Sequence, residues 1–167
     1  MYMISLTLER QKAQRAFTFV EAIFTIAVIG IMSALALTAI SNGSRDANRI
    51  VARQQQAAIQ EALNMWVMAQ SRVGNTAQVR SLANIQASYN ALTTTEARFN
   101  LLVPNPASTD PNQKEGYIDQ STADHFFAYR ESSDKLHSAA LKGAKQYLVL
   151  SNWATGSFPM VEMVAQP

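Results

Sequence analysis

A single carboxylate lies in the most apolar stretch of the chain. Between Phe17 and Ile40 every residue is apolar, small or hydroxylic except Glu21. A charge without a partner in such a stretch costs several kcal/mol. Cleavage between Ala16 and Phe17 would create an α-amine four residues before the acid, and this cation would be its partner. The acid therefore needs a cationic partner, and a cleavage at this point would supply one.

Residues 17–40 form the element that must position this acid. They number 24, and as a helix rising ~1.5 Å per residue they reach ~36 Å, enough to cross a hydrocarbon core of ~30 Å. The basic residues just before them tend to stay in the cytoplasm. We therefore predict one membrane span, with the rest of the chain on the outer side. Gly30 and Ala34 form a small-xxx-small pair that lets helices approach closely in lipid.

The N-terminal residues resemble those of type IV pilins and type II secretion pseudopilins. The resemblance rests on Arg15-Ala16, Phe17-Thr18-Phe19-Val20-Glu21 and the apolar run Ala22–Ile40. It implies a prepilin leader at residues 1–16, a transmembrane and assembly half of a long helix at 17–40, and a periplasmic domain at 41–167. The family usually has Gly before the cleavage site, where this chain has Ala16.

The resemblance also implies a fold and a set of partners. The fold is α+β, with a long N-terminal helix packed on a small C-terminal antiparallel sheet. A prepilin peptidase would cleave after Ala16 and methylate the amine of Phe17, and Glu21 would pair with that amine on a neighbouring subunit. The subunit would be a filament component rather than an enzyme, held in the bacterial inner membrane until an assembly platform extracts it. A secretion pseudopilin, a minor pilin and a DNA-uptake pilin all remain open.

Two alternatives from other classes compete with the filament subunit. In the first, Ala22–Met32 is the apolar region of a secretory signal, Ser33-Ala34-Leu35-Ala36 is its cleavage site, and a soluble binding protein is released. The apolar run continues to Ile40, however, and this alternative gives Glu21 no role. In the second, the chain stays uncleaved as a single-pass envelope protein.

Composition excludes several other classes of protein. The net charge of +2 is all accounted for by Arg10, Lys12 and Arg15 against Glu9 in the leader. The remainder is neutral, so the sequence gives no reason to expect a nucleic-acid partner. The absence of cysteine excludes disulfides, thiolate zinc sites and thiol nucleophiles.

Helical periodicity continues after the span. Asn42-Gly43-Ser44 is a soft point, after which residues 45–73 form an amphipathic helix. Its predicted apolar stripe is Val51, Ala58, Ala62, Trp66 and Ala69. Its predicted polar side is Arg49, Arg53, Gln56, Gln60 and Asn64. A shorter helix is predicted at 77–90, and Thr93-Thr94-Thr95-Glu96 resembles a capping start before a helix at 97–102.

The last third of the chain changes period. Residues 105–116 are predicted to be a polar loop, and residues 138–145 a loop or one helical turn. Three short aromatic or β-branched runs predict antiparallel strands at 125–129, 146–151 and 157–164. Residues 154–156 would be the tight connection between the last two.

Possible ligands and catalytic groups are sparse. Asp110, Asn112, Glu115 and Asp119 could supply oxygen ligands to calcium, but their spacing matches no EF-hand and suits an ordinary surface turn. We therefore predict no cofactor. His125 and His137 lack any catalytic motif around them, and Trp66 and Trp153 are predicted to be packing residues.

Overall fold

The computed structural model describes residues 18–72, 81–109 and 111–166, with the side chains of residues 111 and 112 left out. The described chain divides into two units, the first ending at Ser41 and the second beginning at Asn42. The elements are α1 (Phe19–Arg72), α2 (Leu82–Asn90), α3 (Thr95–Phe99), α4 (Pro111–Glu115), α5 (Gln120–Ala128), α6 (Ala139–Gly143), β1 (Gln146–Leu150) and β2 (Val161–Ala165). The predicted α+β class, with a long N-terminal helix and a small antiparallel sheet, is confirmed.

The C-terminal half of α1 forms one wall of the core of the second unit. The predicted helix at 45–73 is confirmed as far as Arg72. Its buried side is rotated from the predicted stripe, because Val51 and Ala58 are exposed. The buried positions recur at helical spacing: Ala52, Ile59, Ala62, Leu63, Trp66, Val67 and Gln70.

Among the residues that the structure describes, the sheet has two strands rather than the predicted three. β1 and β2 pair antiparallel, from Gln146 opposite Ala165 to Leu150 opposite Val161. The last strand begins at Val161, so the predicted strand residues 157–160 belong to the connection. Beside β1, Leu136 and Leu148 form an isolated bridge, with backbone N···O distances of 2.9 and 3.0 Å.

The strand predicted at 125–129 is wrong, because residues 120–128 form helix α5. Its aromatic run is typical of strands, but Asp119 caps the helix by accepting a hydrogen bond from the backbone N–H of Thr122 at 3.0 Å. Ala123 and Phe126, three residues apart, are both buried, as on one face of a helix. Two hydroxyls also donate to the Asp119 carboxylate and lower its pKa to about 2.

The other predicted helices and loops agree with the structure only in part. The helix predicted at 77–90 begins at Leu82, and residues 77–80 lie outside the described residues. Thr94 caps α3, which is shorter than the predicted helix at 97–102. The predicted loop at 105–116 contains α4, and residues 138–145, predicted to be a loop or one helical turn, contain α6.

Aromatic side chains fill the centre of the second unit. Tyr89 lies between Trp66 and Trp153, with ring centroids 6.0 and 6.2 Å away. Phe99 contacts Phe126 at 5.3 Å. Both tryptophans are buried, which confirms that they are packing residues.

Carboxamide side chains hold the connection between the strands. Gln60 on α1 donates to the carbonyl of Pro159 at 2.9 Å and accepts from the N–H of Val161 at 2.8 Å. Asn90 on α2 likewise donates to the Trp153 carbonyl at 3.0 Å and accepts from its N–H at 2.9 Å. Gln56 adds a bond to the Val161 carbonyl at 2.8 Å. Gln56 and Gln60, predicted to lie on the polar side of the helix, therefore make tertiary contacts.

A buried arginine joins α3 to the end of β1. The Arg98 side chain donates to the carbonyl of Leu150 at 2.5 Å and to the side chain of Asn152. Its guanidinium carbon lies 5.0 Å from the centroid of the Tyr89 ring. Burial raises the pKa of the Tyr89 hydroxyl to about 12, with the Arg98 charge opposing the rise. The ring therefore stays neutral beneath the cation.

We expect Arg98→Met to lower the free energy of unfolding by about 2–3 kcal/mol, because the methionine keeps the aliphatic stem and loses the hydrogen bonds of a charged donor. Arg130→Met is the matched control. Arg130 is 57% exposed and pairs with Glu96 at 2.7 Å, so its loss should cost about 0–1 kcal/mol. Denaturant titration of the full chain in detergent measures both. Equal losses would show that Arg98 is not a structural clamp.

His137 makes the second unit sensitive to acid. Its side chain is buried, with Nε2 3.4 Å from a carboxylate oxygen of Glu131. Burial lowers the pKa of His137 below its usual 6.5, and the nearby carboxylate only partly opposes this. The unfolded chain therefore takes up a proton at this residue at a higher pH than the folded chain does.

From this direction, stability should fall as the pH drops below about 6.5. His137→Asn should reduce this loss between pH 7 and pH 5, whereas the exposed His125 provides the control variant His125→Asn, which should retain it. The free energy of unfolding at each pH is the measurement. Parallel curves for wild type and His137→Asn would contradict the assignment.

Candidate processing and assembly site

The described part of the predicted site begins at Thr18, directly before α1. Its hydroxyl oxygen accepts a hydrogen bond from the backbone N–H of Glu21 at 3.3 Å, and its carbonyl accepts from the N–H of Ala22 at 3.1 Å. Thr18 therefore caps the helix, and Glu21 lies in the first turn, where the helix dipole favours a carboxylate. Ala16 and Phe17, the predicted cleavage and methylation residues, lie outside the described residues.

The carboxylate of Glu21 is exposed. Within the described parts of the chain it forms no ion pair, and it is the only charged side chain of the helix before Arg45. Its surroundings on the helix are apolar, so the opposite charge has to come from elsewhere. The geometry thus leaves the acid available to a cation near the start of the helix or on another molecule.

The apolar residues after Glu21 are exposed in the single chain. Phe19, Phe24, Leu35 and Leu37 expose about 70% or more of their surface: 80%, 72%, 68% and 70%. Among the described residues, α1 is the helix long and apolar enough to cross a membrane, with a mean hydropathy of 2.4 over its most apolar window, none of which is buried. Such a surface requires lipid or neighbouring proteins to cover it.

Two hydroxyls inside this apolar stretch are satisfied within the helix. Thr25 donates to the carbonyl of Glu21 at 2.7 Å, and Thr38 donates to the carbonyl of Ala34 at 3.0 Å. Because a free donor is costly in hydrocarbon, this back-bonding makes both threonines compatible with lipid. The sequence analysis missed this role, although Ser and Thr in apolar helices commonly bond in this way.

Close helix contact is possible at Gly30. A Cβ atom built at this glycine would meet no atom within 4 Å, so the small surface around it is uncovered in the single chain. Ser33 and Ala34 lie one turn further along the helix. The small-xxx-small pair is therefore uncovered in the single chain, and its contact with another helix stays a prediction.

The candidate calcium ligands form no metal site among the described residues. Asp119 caps α5, and Glu115 is exposed at the end of α4. Asp110 and the side chain of Asn112 lie outside what is described. Among the described residues no group of three or more His, Asp or Glu side chains could hold a metal. The absence of a cofactor stays a prediction.

The two histidines do not form a shared site. His125 is exposed on α5, with its ring centroid 5.3 Å from that of Tyr129, while His137 is buried beside Glu131. Arg98, Gln56 and Gln60 are among the polar residues whose tertiary contacts the sequence does not reveal. Their partners lie 52 to 105 residues away in the chain, so no local pattern marks them.

Comparison with known proteins gives one match, at the N-terminus. Neither the curated proteins nor the solved structures include a match to the chain. Residues 11–37 match the family model described as the prokaryotic N-terminal methylation motif. The matched range contains Ala16, Phe17 and Glu21. The chain therefore carries the prepilin-type motif that type IV pilins and pseudopilins share.

Proposed function

We propose that this protein is a pilin-like structural subunit, assembled into a type IV pilus or a type II secretion pseudopilus. A prepilin peptidase removes residues 1–16 and methylates the new amine of Phe17. Residues 17–40 hold the subunit in the bacterial inner membrane, with residues 41–167 in the periplasm. The partners are lipid, the assembly platform and other pilin or pseudopilin subunits. The role is structural rather than enzymatic, in line with the motif.

The observation that carries this proposal is the exposed acid in the first turn of an uncovered apolar helix, inside the methylation motif. In a filament, the Glu21 carboxylate meets the Phe17 amine of a neighbouring copy. Leaving either charge unpaired among apolar side chains would cost several kcal/mol, so a wrong axial register is disfavoured. Charge pairing and apolar contact together would fix the stagger between subunits.

The N-terminus of the mature protein tests the processing step. Intact-mass spectrometry of the protein isolated from cells should give a chain that begins at Phe17 and carries one methyl group on its amine. Cleavage by the prepilin route also depends on a small residue before the site, so Ala16→Leu should leave the precursor uncut. A chain that begins at Leu37 would instead support the secretory alternative, and an unprocessed mass would support a permanent anchor.

The assembly step is tested by Glu21→Gln, which keeps the shape of the side chain and removes its charge. We expect normal membrane insertion and a loss of filaments on the order of tenfold or more, since every 1.4 kcal/mol is a factor of ten. The control is Glu61→Gln, at an exposed acid later in α1. Filament yield can be measured by shearing and quantitative immunoblotting. Wild-type yield from Glu21→Gln would defeat the proposed pairing.

A further inference from the structure

Three cationic side chains converge on one small recess of the second unit. Arg45 and Arg49 lie one turn apart on α1, and Lys145 follows α6. Together with Gly143 and Ala144 they line a recess of about 90 Å³. The sequence analysis found no basic patch, because Lys145 is about a hundred residues from the two arginines in the chain.

The recess depends on a close approach between α1 and the end of α6. A Cβ atom at position 143 would lie 2.2 Å from the side-chain nitrogen of Asn48 and 2.7 Å from its Cγ, so a larger residue there would displace the Asn48 side chain. Glycine at this position lets the end of α6 reach the turn of α1 that carries Arg45 and Arg49. The packing therefore brings the cations together.

Lys145 occupies a backbone conformation that lysine rarely adopts. Its φ is +55°, in the left-handed region where glycine or asparagine usually follows a helix. Two backbone hydrogen bonds hold it there, from its N–H to the carbonyl of Lys142 at 3.0 Å and from the N–H of Gln166 to its carbonyl at 2.8 Å. A lysine at a position suited to glycine is a reason to look for a role for the ammonium group.

The charges of the recess are not balanced within the described residues. Asp46 pairs with Arg49 at 3.5 Å, with both side chains more than 60% exposed. Within the same described part of the chain, neither Arg45 nor Lys145 forms an ion pair. Two of the three cations are thus available to an external anion.

The position of the arginines in the chain identifies the class of anion, if the membrane span of the proposed function is accepted. Arg45 and Arg49 follow Ile40, the end of the apolar run, by five and nine residues. Along a helix these separations are ~8 and ~14 Å. The headgroup region extends roughly 5–8 Å beyond each side of the hydrocarbon core, and flexible arginine side chains can reach back toward it.

We propose that Arg45, Arg49 and Lys145 bind the phosphate of an anionic phospholipid headgroup at the outer surface of the inner membrane. The proposal rests on the proposed function for its membrane geometry. Arginine and lysine are both suited to phosphate, through charge-assisted hydrogen bonds. Such a contact binds these three side chains to lipid while the subunit waits for assembly.

Native mass spectrometry of the full chain, purified from membranes in detergent, tests this proposal. The probe is phosphatidylglycerol, with phosphatidylcholine of the same chain length as the zwitterionic reference. Wild type should retain phosphatidylglycerol preferentially. The triple variant Arg45→Gln, Arg49→Gln and Lys145→Gln removes all three cations and should abolish the preference. Each cation should contribute a factor of about five to the preference. The control removes three exposed cations elsewhere, by Arg72→Gln, Lys114→Gln and Arg130→Gln, and should keep the preference.

Lys145→Gly separates binding from folding. Glycine suits the left-handed backbone, so this variant should be at least as stable as wild type and still lose about fivefold of the lipid preference. Unchanged preference in this variant and in the triple variant would overturn the proposal. Displacement of the lipid by millimolar inorganic phosphate would also overturn it. Variants that alter the oligomer distribution but keep the lipid preference would overturn it as well, since a neighbouring subunit would then supply the anion.

The same spectra distinguish this proposal from the proposed function. They report the mass of the mature chain together with its bound lipids. A start at a residue other than Phe17 counts against the filament subunit. A start at Phe17 without a preference for the anionic lipid counts against the headgroup site alone.

Discussion

The constraint on which the structure depends is that one helix has to suit two surroundings. From Phe19 to Ser41, α1 exposes a continuous apolar surface with one carboxylate near its start, and nothing in the described chain covers that surface. From Asn42 onward the same helix is amphipathic and buries a stripe against the body. The first part is stable only in lipid or among other apolar helices, whereas the second carries its own core. The match to the prepilin-type motif, at residues 11–37, ends before this second part of the helix begins.

The body is organised around the buried stripe of α1. Ile59, Leu63 and Trp66 contribute to one core with the aromatic residues of α2, α3 and α5. The two-stranded sheet is small, and its strands are joined to the helices by polar side chains as well as by apolar contact. Arg98 fixes the end of β1, and Gln60 fixes the start of β2. A two-stranded sheet is marginal by itself, so this body depends on its helices to hold the sheet.

The parts of the fold that the sequence predicts are those encoded locally. The span, the lone acid and the continuation of α1 follow from hydropathy, charge and helical period, all of which are read over a few turns. The aromatic composition of residues 125–129 predicts a strand, but residues 125–128 lie in helix α5, which buries Ala123 and Phe126 on one face. The rotated stripe of α1 has a similar cause, since Gln56 and Gln60 look solvent-facing but bond to backbone about a hundred residues away. The recess at Lys145 could not be predicted, because it depends on a glycine contact between α1 and α6.

The carboxamides of Gln60 and Asn90 form hydrogen bonds with backbone groups of the connection between β1 and β2, not with its side chains. Between the two attachment points, Phe158 and Met160 are about half exposed. The four carboxamide hydrogen bonds use backbone groups of the connection, so replacing an exposed side chain such as Met160 leaves them in place, whereas Phe158 also stacks on Trp153 with ring centroids 6.2 Å apart. A subunit built in this way has a region where new specificity for neighbours can evolve while the framework beneath it stays the same.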